Sequence, residues 1–284
     1  MLNFSLRLFP LVASAMAMNG VQGAIVTTEH LGIELVGERA ALVPGTTAWL
    51  GLHIRHEPLW HTYWINPGDS GLPTRVSWTL PAGFKAGEIV WPAPKRFAVD
   101  GLANFGYDGD VLLPVALDIP GDATPGSTVR IAAEVRWLVC HEECIPGKAN
   151  IALDLPILAS VPIAASAANV PRDTSFGATR AALPQDGAWK ADARLVGDNI
   201  EVQVRGADLT TGFGLDAFAE QPKIVSNAVP RVSQRNGIAV LEFAKSDYFT
   251  SAPSALDLVI TRKGMRALHV HAAFAPGAPV SASP

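Results

Sequence analysis

Cys140 and Cys144 are the only cysteines in the 284-residue sequence. They lie in the stretch EVRWLVCHEECIPGK, with His141, Glu142 and Glu143 between them. A C-x3-C pair supports three kinds of chemistry. A structural disulfide across so short a loop contributes about 2 kcal/mol of chain entropy, against ~4.7 kcal/mol for a 100-residue loop. A staple would gain more by joining distant strands. Cys140, His141 and Cys144 also offer sulfur and nitrogen donors to Cu(I), although the spacing is not that of a zinc site. The third chemistry is exchange, because a short, exposed disulfide is of the labile kind. A protonated His141 would favour a neighbouring thiolate, and Glu142 and Glu143 would oppose it. The residues alone leave all three readings open.

Other reactive side chains make weaker patterns. His53, His56 and His61 are close in sequence, but His53 and His56 fall on opposite faces of an extended strand, which disfavours a shared metal. His269 and His271 share one strand face, where solvated surface is the simpler reading. Asp69 and Ser70 sit in the turn NPGDSG, with no histidine pattern to complete a triad. Trp60, Tyr63 and Trp64 in WHTYW are read as core and rim of a sheet, or as the wall of a recognition groove. No phosphate loop, nucleotide fingerprint or basic stripe is present, and the net charge of -4 gives no reason to expect nucleic acid or anionic lipid.

The elements that must position these residues read as strands. TTAWLGLHI places Ala48, Leu50, Leu52 and Ile54 on one face, and ANIALDLPI alternates Ile151, Leu153 and Leu155. In TVRIAAEVRWLVC, Val129, Ile131, Ala133, Val135, Trp137 and Val139 form the apolar face. Cys140 falls on the other, towards solvent or a covering loop. Gly and Pro punctuate the chain throughout, at YDGD and TPGS among other turns. The expected fold is all-β, two immunoglobulin-like antiparallel sandwich domains joined by a linker.

Residues 1–23 read as a signal peptide: Arg7, then the apolar run LFPLVASAMAM, then small residues before Ala24. The first domain is expected over 24–159, with Cys140 and Cys144 near its end. An Ala/Pro/Ser-rich linker with one short helix is expected over 160–186. The second sandwich follows over 187–275, with hairpins turning at Gly197-Asp198-Asn199 and at Lys263-Gly264. A disordered tail is expected over 276–284. Export would place the cysteines where a disulfide persists.

Three segments in order, WHTYWINPGDSGLPTRVSWTLPAGFKAGEIVWPAPKRF, NFGYDGDVLLPV and WLVCHEECIPGKANIALDLP, resemble the periplasmic N-terminal domain of DsbD-type thiol:disulfide interchange proteins. The resemblance is closer to the suppressor-of-copper-sensitivity branch, ScsB, and is dense over about residues 30 to 158. It implies an immunoglobulin-like domain whose Cys140/Cys144 pair cycles between dithiol and disulfide, with no bound cofactor and no metal. By position, Cys144 would form mixed disulfides with partners and Cys140 would resolve them. The family shields its cysteines with an aromatic-bearing cap, and PAPKRFAVDG occupies the matching region with Phe97 as the cap residue. His141 and Trp137 are the neighbouring recognition candidates. Implied partners are thioredoxin-like periplasmic proteins and a membrane electron donor. The sequence carries no eight-helix membrane segment, so that donor is expected on a separate polypeptide. The rival readings are a non-enzymatic copper-handling protein and an adaptor with a purely structural disulfide.

Overall fold

The computed structural model describes residues 23–99, 101–160, 176–206, 209 and 214–274. The expected signal peptide, except Gly23, and the expected tail lie outside the described residues.

The first block is a sandwich of two antiparallel sheets. One sheet runs in the order β1 (Val26–Thr28), β2 (Leu31–Gly37), β3 (Thr47–His56), β9 (Asp110–Asp118) and β6 (Lys85–Ile89). The other runs β11 (Cys144–Pro156), β10 (Thr128–Cys140), β4 (His61–Gly68), β8 (Leu102–Asp108) and β7 (Lys95–Val99), with β5 (Arg75–Thr79) also paired to β10. Alternation builds the core between them. Leu31, Ile33 and Leu35 of β2 and Leu50, Leu52 and Ile54 of β3 meet Ile131, Val135 and Val139 of β10 and Ile151, Leu153 and Leu155 of β11. Apolar area removed from water on both inner faces is what holds the two sheets together.

The outer face of β3 is covered too, which its sequence alternation does not announce. Helix α1 (Phe176–Ala182) lies there, and Phe176 packs on Val36, Leu112 and Trp49. A side chain at Gly51 would collide with Leu112 and crowd Phe176, so the sheet surface must be bare at that point. Arg180 makes two hydrogen bonds of 2.6 Å to the Glu38 carboxylate. The short helix expected in the linker is therefore docked on the first block, while residues 161–175 lie outside the described residues.

The second block is one seven-stranded sheet. Its order is β14 (Leu215–Ala219), β17 (Ala255–Arg262), β18 (Leu268–Phe274), β12 (Lys190–Val196), β13 (Asn199–Arg205), β16 (Ile238–Ala244) and β15 (Arg231–Arg235). All neighbours are antiparallel except β12 and β18. The β12–β13 turn is Gly197-Asp198, with Gly197 at φ 57°, a left-handed value that glycine adopts without penalty. Its core gathers Ile200, Val202, Leu241, Leu258, Ile260 and Val270.

The two blocks share buried surface. Phe218, Val259 and Ala267 of the second join the core cluster of the first. Phe218 meets Phe105 edge-on at 5.0 Å and Trp64 at 6.3 Å. Asn66 Nδ2 donates to the Ala219 carbonyl (2.8 Å) and Asn227 Nδ2 to Asp69 Oδ1 (2.8 Å). The Gln185 amide donates to the Ala267 carbonyl at 3.0 Å, so the end of the expected linker runs beside β18.

Candidate redox site

β10 and β11 form an unbroken hairpin, from Thr128 opposite Pro156 to Cys140 opposite Cys144. The cysteines are thus the last cross-strand pair before a three-residue tip, which the His141 amide closes on the Glu143 carbonyl at 3.0 Å. They are joined by a disulfide, with Cα atoms 4.2 Å apart. Register explains the pairing: directly opposed residues on a tight hairpin already stand close enough for a bond between their sulfurs.

The two cysteines differ sharply in setting. Cys144 is exposed, whereas Cys140 is 1% exposed although it lies on the outer face of the strand. Neighbouring elements bury it. Cys140 pairs through its backbone with His61, the first residue of β4. The His61 ring, 2% exposed, stacks on Phe97 of β7 at 4.4 Å with 9° between planes. Two residues along the same face, Tyr63 touches His61 edge-on at 5.2 Å and places its hydroxyl 3.6 Å from Cys144 Sγ. A Cβ at Gly71 would fall 2.2 Å from the Tyr63 ring, so glycine there leaves the phenol its place.

Burial tunes these groups. It lowers the His61 pKa from 6.5 to about 4, with His56 and His141 adding to the shift and Asp108 opposing it. The His61 Nε2 has no hydrogen-bond partner among the described residues. At neutral pH the ring beside the disulfide is therefore uncharged. Burial also raises the Tyr63 pKa, against the effect of a Ser70 hydrogen bond, so the phenol keeps its proton. A protonated phenol can donate to a sulfur that becomes thiolate.

On the opposite flank of the tip, Trp60 lies 5.9 Å from the His141 ring and stacks on His30 at 3.8 Å. His30 Nδ1 is 2.7 Å from Glu57 Oε2. Leu59 is 74% exposed and takes φ 76°, a left-handed conformation uncommon for a branched side chain. An open cavity of about 700 Å³ runs between the flanks, lined by Leu59, His61, Arg96, Phe97, His141 and Glu142 among others.

The structure thus brings Cys140, Cys144, Phe97 and His141 to one end of the sandwich. Trp137 requires a correction. It lies on the core face, 5% exposed, against Gly147, where a Cβ would come within 2.5 Å of the indole. It supports the hairpin from inside and is not a recognition residue, because alternation puts it opposite to Cys140. The PAPKRFAVDG region is not a plain loop: Phe97 sits in β7, an edge strand paired to β8. The sequence reading ties neither His61 nor Tyr63 to the cysteine pair, although it names Tyr63 as a groove candidate. The signal that could have found them is the period-two spacing within WHTYW, which puts 61 and 63 on one face.

The remaining candidates disperse. His53 contacts Glu34 at 2.9 Å, and His56 contacts the Gly109 carbonyl and Thr62. His269 and His271 pair with different carboxylates, Asp186 and Asp257. Asp69 accepts from the Ala103 amide and from Asn227, so both its oxygens serve structure. Among the described residues no three His, Cys, Asp or Glu side chains gather as a metal site.

Comparison with known proteins agrees with this geometry. Residues 34–156 match the family described as thiol:disulfide interchange protein DsbD, N-terminal. No curated protein matches the sequence. Among solved structures, the N-terminal periplasmic domain of ScsB from Proteus mirabilis superposes with TM-score 0.67 at 17% identity, covering 91% of this chain and 100% of that one. A yeast GGA1 GAE domain aligns over 45% of this chain and 96% of its own with TM-score 0.25 and 11% identity, too low to carry an argument. Residues 34–156 thus resemble the DsbD N-terminal domain, in a chain that shares the fold of the ScsB N-terminal periplasmic domain.

Proposed function

We propose that the protein is a periplasmic thiol–disulfide exchange module that uses Cys144 to engage partners and Cys140 to resolve them. The observation that carries this reading is the asymmetry of the pair: one cysteine exposed at a hairpin tip, the other 1% exposed behind His61. In the dithiol form, the Cys144 thiolate attacks one sulfur of a partner disulfide. A Cys144–partner bond forms, and the partner's other sulfur leaves as thiolate. The Cys140 thiolate then attacks Cys144 Sγ and expels the partner's first sulfur. The partner gains two electrons and becomes a dithiol, while the Cys140–Cys144 disulfide forms again. A thioredoxin-like or membrane donor restores the dithiol by the same two steps in reverse.

Three neighbours suit these roles. Tyr63 reaches Cys144 Sγ at 3.6 Å and can donate to its thiolate. Phe97, stacked on His61, acts as the shield over the resting pair. The exposed Leu59 and the open cavity beside it, lined also by Arg96, His141 and Glu142, offer a seat of mixed polarity for a thioredoxin-fold partner. In this reading residues 1–23 are the export signal, and residues 24–159 form the exchange domain.

The test is trapping. Cys140→Ser removes the resolving thiol, so mixed disulfides through Cys144 should accumulate with thioredoxin-fold partners on non-reducing gels. Cys144→Ser should trap far less. Equal trapping by both variants would remove the assignment of roles, and trapping by neither would remove exchange as the function.

A further inference from the structure

The strand that carries Phe97 is tied to the second block through its preceding residue. Consecutive strand residues point to opposite sides, so Phe97 faces His61 while Arg96 faces away from it. The Arg96 guanidinium donates to Asp216 of β14 with both Nε (2.8 Å) and Nη2 (2.7 Å). Its Nη1 donates to the Asn227 carbonyl. The same group lies 4.8 Å from the centre of Phe105 in the first block and 5.1 Å from that of Phe218 in the second. Arg96 and Asp216 side chains are only 17% and 23% exposed, so water screens this fork poorly.

Position makes the tie consequential. β7 is five residues long and its backbone pairs with β8 alone, at the edge of its sheet. Short edge strands open more readily than central ones. We infer that the second block anchors the shield over the disulfide: Asp216 and the Asn227 carbonyl hold Arg96, Arg96 holds β7, and β7 holds Phe97 against His61. Arg96 is a positioning residue acting through Phe97, and the second block sets how often the Cys140–Cys144 pair is uncovered. This inference rests on the reading of Phe97 as a shield.

The experiment measures disulfide reduction by dithiothreitol, which attacks as its thiolate, at fixed pH and high ionic strength, in the mature chain and in Asp216→Asn, Phe97→Ala and the double variant. Asp216 does not line the cavity, and replacing it leaves the Arg96 charge in place. Losing one charge-assisted partner of a poorly solvated guanidinium changes the population of an opened strand by on the order of tenfold. Asp216→Asn should therefore be reduced about tenfold faster. Phe97→Ala should be at least as fast, and the double variant no faster than Phe97→Ala, because both changes act through one side chain. Arg96→Lys, which keeps the charge but loses the fork, should fall between wild type and Asp216→Asn and serves as the second variant if Asp216→Asn folds poorly.

A wild-type rate in Asp216→Asn or Arg96→Lys, with Phe97→Ala fast, would leave the shield standing and overturn the anchor. Rates that multiply in the double variant would show a route other than Phe97, and would also overturn it. An unchanged rate in Phe97→Ala would remove the shield reading itself and the anchor with it.

Discussion

Lowering the pH should destabilise the fold through His61 in a way that one substitution can isolate. The ring is 2% exposed, its Nε2 has no partner, and its pKa is lowered to about 4 from 6.5. Between those two values the unfolded chain binds one more proton than the native one. Stability from this group is thus complete above the unfolded value and is lost as pH falls towards the folded one. Linkage from about pH 7.5 down to about pH 5 gives a loss of about 2 kcal/mol for a shift of that size. Burial lowers the His56 pKa as well, so the wild-type profile mixes two histidines. The difference from His61→Phe separates them, since phenylalanine keeps a ring to stack on Phe97 and has nothing to protonate. Urea unfolding of both proteins across this range is the assay. The gap between their free energies should shift by about 2 kcal/mol in favour of the variant at the acidic end. Parallel curves would refute the reasoning, because they would mean that His61 is protonated as easily inside the fold as outside it.

Two further outcomes follow from the same geometry. Reducing the disulfide should cost about 2 kcal/mol and leave the chain folded, because the closed loop is so short; thermal melts with and without reductant check this, and a loss of ~4 kcal/mol or more would mark a structural staple. A fragment of residues 24–160 should fold on its own two sheets yet lose on the order of 3 kcal/mol, because Trp64 and Phe105 lose Phe218. Urea titration and limited proteolysis between 160 and 186 test that boundary, and an unfolded fragment would mean that the blocks cannot be separated there.

Local periodicity made part of this protein legible without coordinates. The alternation of Ile131, Val135 and Val139, and of Ile151, Leu153 and Leu155, is a property of two neighbouring strands. It marked β10 and β11 as strands, while their register, with Cys140 opposite Cys144 at the tip, came from the structure. The same alternation put Cys140 on the outer face. Whether that face is wet depends on residues far away in the chain, and there the sequence is silent. His61, 79 positions earlier, pairs with Cys140, and Phe97, 43 positions earlier, stacks on His61 by tertiary packing. Trp137 shows the converse failure: nearness to the cysteines suggested recognition, while its parity in the strand already placed it in the core. The tie between Arg96 and Asp216 spans 120 residues and joins two sheets that show no mutual pattern in sequence. Period two reports which way a side chain points. What stands on the far side of it is decided only when separate sheets compete for the same apolar surface and the same charges.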